Sequence, residues 1–192
     1  MGLFDTLFGR QKPVNMSAER LFALSTAELT LRTSMELTPA GEAGIVFQGV
    51  ASAPFKEMQR ELNELMQFAS QNNPTRARAW EDNLGGKWFL LEGEDFQGLV
   101  TMAHMVSQSL VEHGFGDRLL AAVFRFNDER SRPIYWIYNY KRSSFYPFVP
   151  RPNSRSHNRD NAEELHLSTA MEQELPMEKE LERWYALWDL PF

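Results

Sequence analysis

The chain has 192 residues, of which 43% are apolar and 24% charged, a composition typical of a folded soluble domain rather than a disordered chain. It has no cysteine, which excludes disulfides, thiol nucleophiles, iron–sulfur clusters and thiolate zinc sites. A net charge of −6 argues against a protein that coats nucleic acid as a whole, although a local basic patch could still bind it. This length predicts a single domain over residues 1–192.

The first predicted element is a short amphipathic segment at residues 1–13, followed by an undecided stretch. Arg10 and Lys12 flank the apolar residues of this segment, which lie on one side of a helix: Leu3, Phe4, Leu7 and Phe8. Such a helix can lie on an anionic bilayer or pack on the protein's own core, and both interpretations stay open. Residues 26–37 fit a period of two in part and a helical period in part, so their structure is left undecided.

A strand and a helix follow. Pro39 and Gly41 predict a turn, and the apolar residues at 45–50 predict a strand after it. Pro54 suits the first turn of a helix. The apolar residues of that helix recur at three- and four-residue steps and predict one buried face: Phe55, Met58, Leu62, Leu65 and Ala69.

Two hairpins with a long helix between them come next. Strands at 77–81 and 87–92 form the first hairpin. Asp95 is a suitable cap for the helix, which ends at Gly114, and strands at 119–126 and 134–141 form the second hairpin. The core-facing residues of the helix are Leu99, Val100, Ala103, Val106 and Leu110.

The last part of the chain predicts a basic, proline-rich loop at 143–159 and two helices, at 160–174 and 177–187. Hairpin strands that alternate with helices predict an α+β class. We expect a single-domain sandwich with a largely antiparallel sheet of about five strands, covered by helices.

No catalytic constellation stands out in the sequence. The four histidines include no pair at the spacing that places two metal ligands on one helix face. No nucleophile elbow and no phosphate-binding loop is present. We therefore expect a protein that is not an enzyme and that binds no cofactor or metal.

The most unusual stretch is residues 141–159, termed here the basic segment, which carries five positive charges and no acid. Its cations are Lys141, Arg142, Arg151, Arg155 and Arg159, and its aromatic residues are Phe145, Tyr146 and Phe148. Arginines and aromatic rings together can bind phosphates, bases or an acidic protein helix. The spacing matches no known RNA-binding module, so we do not expect nucleic acid as the partner.

The alternative for the basic segment is internal pairing. Residues 160–182 carry eight acids and a single basic residue, Lys179, so they can neutralise the arginines within the same molecule. Ion pairs of this kind are common, although exposed ones are worth only about 0–1 kcal/mol. Partner binding and internal pairing both stay open at this point.

Several segments resemble the PspA-associated proteins of the PspAB type. They are MGLFDTLFGRQKP, HGFGDRLLAAVFRF, YKRSSFYPFVP and RDNAEEL, in this order, followed by Leu175-Pro176 ahead of Trp184 and Trp188. The resemblance runs from end to end, and YKRSSFYPFVP is its most distinctive part.

The resemblance implies an accessory protein of PspA, the membrane-remodelling coiled-coil protein of the phage-shock envelope-stress response. It implies no catalytic activity and no active-site residue. A cytoplasmic location follows, with peripheral contact to the inner face of the cell membrane through residues 1–13 as an open alternative. PspA or another stress-response protein is the expected partner of the basic segment. A rival interpretation is a chaperone-like module, similar to secretion chaperones, that holds a peptide or amphipathic helix on its sheet.

Overall fold

The computed structural model describes residues 18–72, 75–82, 85–151, 157–188 and 190–192. Within these residues the strands are β1 (Thr38–Gln48), β2 (Arg76–Glu81), β3 (Gly86–Glu92), β4 (Leu119–Asn127), β5 (Pro133–Asn139) and β6 (Ser144–Phe148). The α-helices are α1 (Ala23–Ser34), α2 (Ala53–Asn72), α3 (Phe96–Glu112) and α4 (Asn161–Met171), and the 3-10 helices are Ala18–Phe22, Gly116–Arg118 and Leu181–Arg183.

The six strands form one open sheet in the order β2-β3-β1-β4-β5-β6, and every neighbouring pair is antiparallel. The fold is therefore α+β, as the sequence predicts. The sheet has one strand more than the expected number, because part of the predicted basic loop is a strand.

One side of the sheet, termed here the helical face, packs against the helices. Alternate residues of the strands point to this side, since successive side chains of a strand face opposite ways. The central helix is α3, and all five of its predicted core residues are buried. The predicted cap is also confirmed, because the Asp95 carboxylate accepts a hydrogen bond from the Gln97 N–H at 3.1 Å.

The other side, termed here the tail face, is covered by residues 184–188 and 190–192 of the same chain. The predicted helix at 177–187 was wrong, because only Leu181–Arg183 makes a helical turn. Trp184 packs on β6 and Phe192 lies near β1 and β3. The distance across the sheet from β6 to β3 is roughly 19 Å, since neighbouring strands lie about 4.8 Å apart. An irregular chain covers this distance with fewer residues than a helix, which rises about 1.5 Å per residue.

The basic segment contains a strand, so the prediction of a loop over 143–159 was wrong for Ser144–Phe148. β6 pairs with β5 from Asn139↔Ser144 to Tyr135↔Phe148. Pro147 is compatible with this position because β6 is the last strand of the sheet. Proline has no backbone N–H to donate, and in an edge strand this removes fewer hydrogen bonds than in a central strand. The chain at Pro176 continues the pairing, since the Phe145 N–H donates to the Pro176 carbonyl at 2.8 Å.

Two further differences concern β1 and the stretch before it. The undecided residues 26–37 are mostly helix, since α1 extends to Ser34. Pro39 and Gly41, which predict a turn, lie inside β1, where the register with β4 shifts before Ala43. Gly41 has a φ of +79°, a conformation that glycine adopts without strain. The irregularity is therefore a bulge within a long strand.

In α2 the buried face differs from the predicted one at a single described position. Phe55, Met58, Leu62 and Met66 are buried. Leu65, which we predicted to be buried, is 41% exposed, because Met66 takes the place four residues after Leu62 on the buried stripe. The side chain of Ala69 lies outside the described part of the chain.

Candidate partner-binding surface

Some of the predicted site residues lie outside the described residues. They are Arg155 of the basic segment and the apolar set Leu3, Phe4, Leu7 and Phe8. The remaining residues of the basic segment are described, and they fall into two groups with different environments.

The aromatic residues of the basic segment belong to the core. Phe145, Tyr146 and Phe148 are each at most 1% exposed. Phe145 points to the helical face, and the other two point to the tail face, where Tyr146 stacks on Trp184 with ring centroids 6.3 Å apart. The Tyr146 hydroxyl donates to the Tyr185 carbonyl at 3.1 Å, and burial raises its pKa. These three rings cannot serve as exposed anchors, which corrects that part of the prediction.

Arg142 is held by acids that follow α4. Its Nε lies 3.2 Å from a carboxylate oxygen of Glu178, a buried residue. Its Nη2 lies 3.9 Å from Glu180. The Ser144 hydroxyl donates to the same Glu178 oxygen at 3.3 Å. This network fastens the turn before β6 to the chain after α4.

Arg159 is held even more firmly. Its Nε donates to both carboxylate oxygens of Glu164, and its Nη1 donates to the Trp184 carbonyl at 2.6 Å. Its guanidinium also lies over the Phe148 ring, 5.4 Å from the centroid. Burial raises the pKa of Glu164, although the Arg159 guanidinium and the Val149 N–H stabilise its charged form. Arg142 and Arg159 are therefore paired with acids of the same molecule, as the internal-pairing interpretation expects.

Arg151 has a different environment. Its side chain is 58% exposed, and within the described ranges its ion pair is a contact of 3.3 Å to Asp160. Its own backbone is fixed, because the Arg151 N–H donates to the Asn158 carbonyl at 2.9 Å. Lys141, at the other end of the basic segment, is half-buried. Arg151 is thus the most exposed arginine of the segment among those that the structure describes.

An open groove of about 960 Å³ lies beside Arg142, between α4 and the chain that follows it. Its lining combines both charges with apolar surface: Arg20, Arg142, Glu172, Lys179, Glu180 and Trp184. Sequence reasoning missed this groove, because its two walls come from residues on either side of an irregular chain reversal that no pattern predicts. The Leu175-Pro176 pair, which ends the helical pattern, is the one local signal of it.

Metal-binding clusters and membrane-spanning helices are two other features that a site could be built on. Among these residues, no group of three or more histidine, aspartate or glutamate side chains could hold a metal ion. No helix within the same ranges is long and apolar enough to cross a membrane.

The fold and this surface define a small α+β sheet protein that carries an exposed arginine, Arg151, and an open, mixed-charge groove beside Arg142. Comparison with known families shows which family the chain belongs to. A family model for PspA associated protein B matches residues 1–192, the whole chain, and the chain belongs to that family. No match was found among curated proteins or among solved structures. The resemblance noted in the sequence is thereby confirmed.

Proposed function

We propose that this protein is a non-enzymatic accessory protein that binds PspA, or a protein that acts with PspA, in the phage-shock envelope-stress response. The observation that carries this proposal is the match of the PspA associated protein B family to the whole chain. Because the match covers the whole chain, it favours a role shared with the family over a role that depends on one shared domain.

The exposed part of the basic segment is the proposed contact. Arg151 offers a guanidinium that is 58% exposed and is paired, within the described residues, with Asp160, and pairs exposed to solvent are weak. Arginine can bind a carboxylate through two parallel hydrogen bonds, which suits an acidic surface on a charged helix. We include Lys141 and Arg155 in this contact. Arg142 and Arg159 support it by fixing the ends of the segment.

The test measures binding of purified PspA to the double variant Arg151→Glu/Arg155→Glu. We expect weaker capture and a smaller salt dependence of the association rate, since exposed charges mainly accelerate encounter. Arg78→Glu/Arg130→Glu is a control with the same change of net charge. It suits this purpose because Arg78 is 55% exposed and has one ion pair at 3.6 Å, on β2 at the other edge of the sheet. Unchanged, equally salt-sensitive binding by the first variant contradicts the proposed contact.

The chaperone-like alternative requires a sheet face that a guest can reach. In the described part of the chain, the helical face lies under the helices and the tail face lies under residues 184–188 and 190–192. A guest on the sheet would therefore have to displace one of these layers. This requirement makes the alternative the weaker of the two.

We also propose a cytoplasmic location, with peripheral contact to an anionic membrane through residues 2–9. The support is the sequence pattern, which combines four large apolar residues with the flanking cations Arg10 and Lys12. Sedimentation with vesicles that contain an anionic lipid tests this contact. Replacement of Phe4 and Phe8 by alanine should abolish the sedimentation, and retained binding would contradict membrane contact by this segment.

A further inference from the structure

A second groove, of about 430 Å³, lies between the outer sides of α2 and α3. Leu65 of α2 and Met105 of α3 line it together with His104. Glu61 and Glu112 lie at its rim, one from each helix. This α2–α3 groove is therefore apolar inside and carries carboxylates at its margins.

The apolar surface continues beyond the groove. Leu65 is 41% exposed, and Phe68, three residues further along α2 and hence on the same side of the helix, is 65% exposed. On the α3 side, the His104 ring lies against Phe22, with centroids 4.8 Å apart. Large apolar side chains grouped in this way on a protein surface are typical of a docking site.

Each rim carboxylate has a local partner. Glu61 lies 3.1 Å from the His113 Nε2, and Glu112 accepts a hydrogen bond from the Gln108 amide at 3.0 Å. Both carboxylates are on exposed residues. The rim therefore carries two carboxylates and the His113 imidazole, and the carboxylates can attract an apolar segment that brings positive charges with it.

We propose that residues 2–9 of this chain bind the α2–α3 groove in solution. The segment has the matching chemistry, with four apolar residues for the groove and Arg10 and Lys12 for the rim. The proposal concerns the segment in the absence of a membrane and does not rest on PspA binding.

The path of the chain permits this contact. The helical turn Ala18–Phe22 packs on α3, and Phe22 touches His104, which lines the groove. Nine residues separate Phe8 from Ala18, and when extended they span up to about 30 Å. A tether this short gives an effective concentration in the millimolar range, so a weak contact is sufficient to hold the segment.

The test uses the full chain with a nitroxide on one introduced cysteine, Thr6→Cys, which labels cleanly because the chain has no other cysteine. We expect the label to broaden the amide signals of Leu65, Met105 and Ser109. The amide signal of Tyr185, on the tail face, should keep its full intensity. Absence of broadening at the groove, or broadening centred elsewhere, would overturn the proposal.

A matched pair of variants tests which surface holds the segment. Leu65→Ser should remove most of the broadening, because it places a hydroxyl in the groove. Leu165→Ser is the control, since Leu165 is a helical leucine of similar exposure, 46%, on α4. Equal loss in both variants, or no loss in either, counts against the groove. Neither leucine is buried, so both variants should fold.

Two additional samples test the alternatives to docking within one chain, which are binding by a second copy of the protein and binding to a membrane. Broadening that appears only when labelled protein is mixed with unlabelled, isotope-enriched protein would show binding by a second copy and overturn docking within one chain. Addition of anionic vesicles tests the membrane separately. Release of the segment by vesicles supports both docking and membrane contact, and persistence at the groove supports docking while contradicting membrane contact.

Discussion

The Arg159 Nε donates to both carboxylate oxygens of Glu164, at 2.9 and 2.7 Å, and Glu164 is only 2% exposed. The same carboxylate accepts the Val149 N–H at 2.8 Å, and the same guanidinium donates to the Trp184 carbonyl. The pair thereby joins α4, the end of β6 and the segment over the tail face. An arginine that looks available for a partner in the sequence is thus a structural residue.

This difference predicts unequal effects of two arginine substitutions. Arg159→Ala leaves the buried Glu164 carboxylate without its cation, and loss of one partner of a buried pair typically costs about 3–5 kcal/mol. Arg151→Ala removes an exposed pair and should cost less than about 1 kcal/mol. Urea denaturation of both variants measures the free energies of unfolding. Similar values for the two would contradict the structural role of Arg159.

A buried hydroxyl pair makes a second prediction. The Ser107 hydroxyl donates to the Ala103 carbonyl at 2.7 Å, and the Tyr140 hydroxyl is hydrogen-bonded to the same serine oxygen. Since the serine proton is already used, Tyr140 must be the donor to Ser107. Burial raises the pKa of Tyr140, so its hydroxyl stays protonated.

Ser107→Ala should therefore cost about 1–3 kcal/mol, because the tyrosine hydroxyl loses its acceptor inside the core. Tyr140→Phe should cost about 1 kcal/mol, the ordinary value for one hydrogen bond. The double variant should be more stable than the sum of the two single losses predicts. Strict additivity in urea denaturation would show that the hydroxyls do not depend on each other.

The close approach of Gly44 to the tail segment makes a third prediction. A Cβ atom at Gly44 would lie 3.0 Å from Phe192 and 3.1 Å from Trp88. Gly44→Ala should thus cost about 1–3 kcal/mol, and less when Phe192 is already alanine. Gly49→Ala is the control, because the three atoms nearest to its Cβ would all belong to the flexible Lys87 side chain, from 3.2 Å outward. An equal cost in both backgrounds would mean that Phe192 does not press on β1.

The His113–Glu61 pair predicts a pH dependence. The Ser109 carbonyl and then Glu61 raise the pKa of His113, so the folded protein holds its proton more tightly than the unfolded chain. The resulting stabilisation is fully present below about pH 6.5, the ordinary histidine pKa, and is lost as the pH rises through the higher folded value. His113→Gln should therefore lower stability more at about pH 5.5 than at about pH 8.5.

The size of this effect is limited by solvent. Both side chains are well exposed, so the difference should stay below about 1 kcal/mol. A proton NMR titration of His113 in the unmodified protein and in Glu61→Gln gives a direct measurement. An unchanged titration midpoint in the variant would contradict the contribution of Glu61.

The elements with a strong periodic pattern could be predicted from the sequence. The apolar spacing of α3, its Asp95 cap and the two hairpins all appear in the structure close to their predicted positions. β6 could not be predicted in the same way, because Pro147 argues against a strand unless the strand is known to lie at the end of the sheet. That information comes from the tertiary arrangement and not from local sequence.

The candidate site was harder to predict for a related reason. Charge pattern alone does not distinguish Arg159 from Arg151. Arg159 is paired with a buried carboxylate, whereas the Arg151 side chain is largely exposed to solvent. The distinction depends on where α4 packs. Leu65 illustrates the same limit, since a helical stripe predicts which side is apolar but not where the neighbouring helix stops covering it.

The layer over the tail face comes from residues 184–188 and 190–192, which follow all six described strands in the sequence. During synthesis these residues leave the ribosome after the strands they cover. Until then Trp88, Tyr135 and Tyr146 face solvent, and an exposed aromatic sheet surface is prone to association. A chain interrupted before Trp184 should therefore aggregate at lower concentration than the chain through Phe192, which light scattering would reveal. The nascent chain is thus open to association through this sheet surface for as long as the ribosome needs to add these few residues.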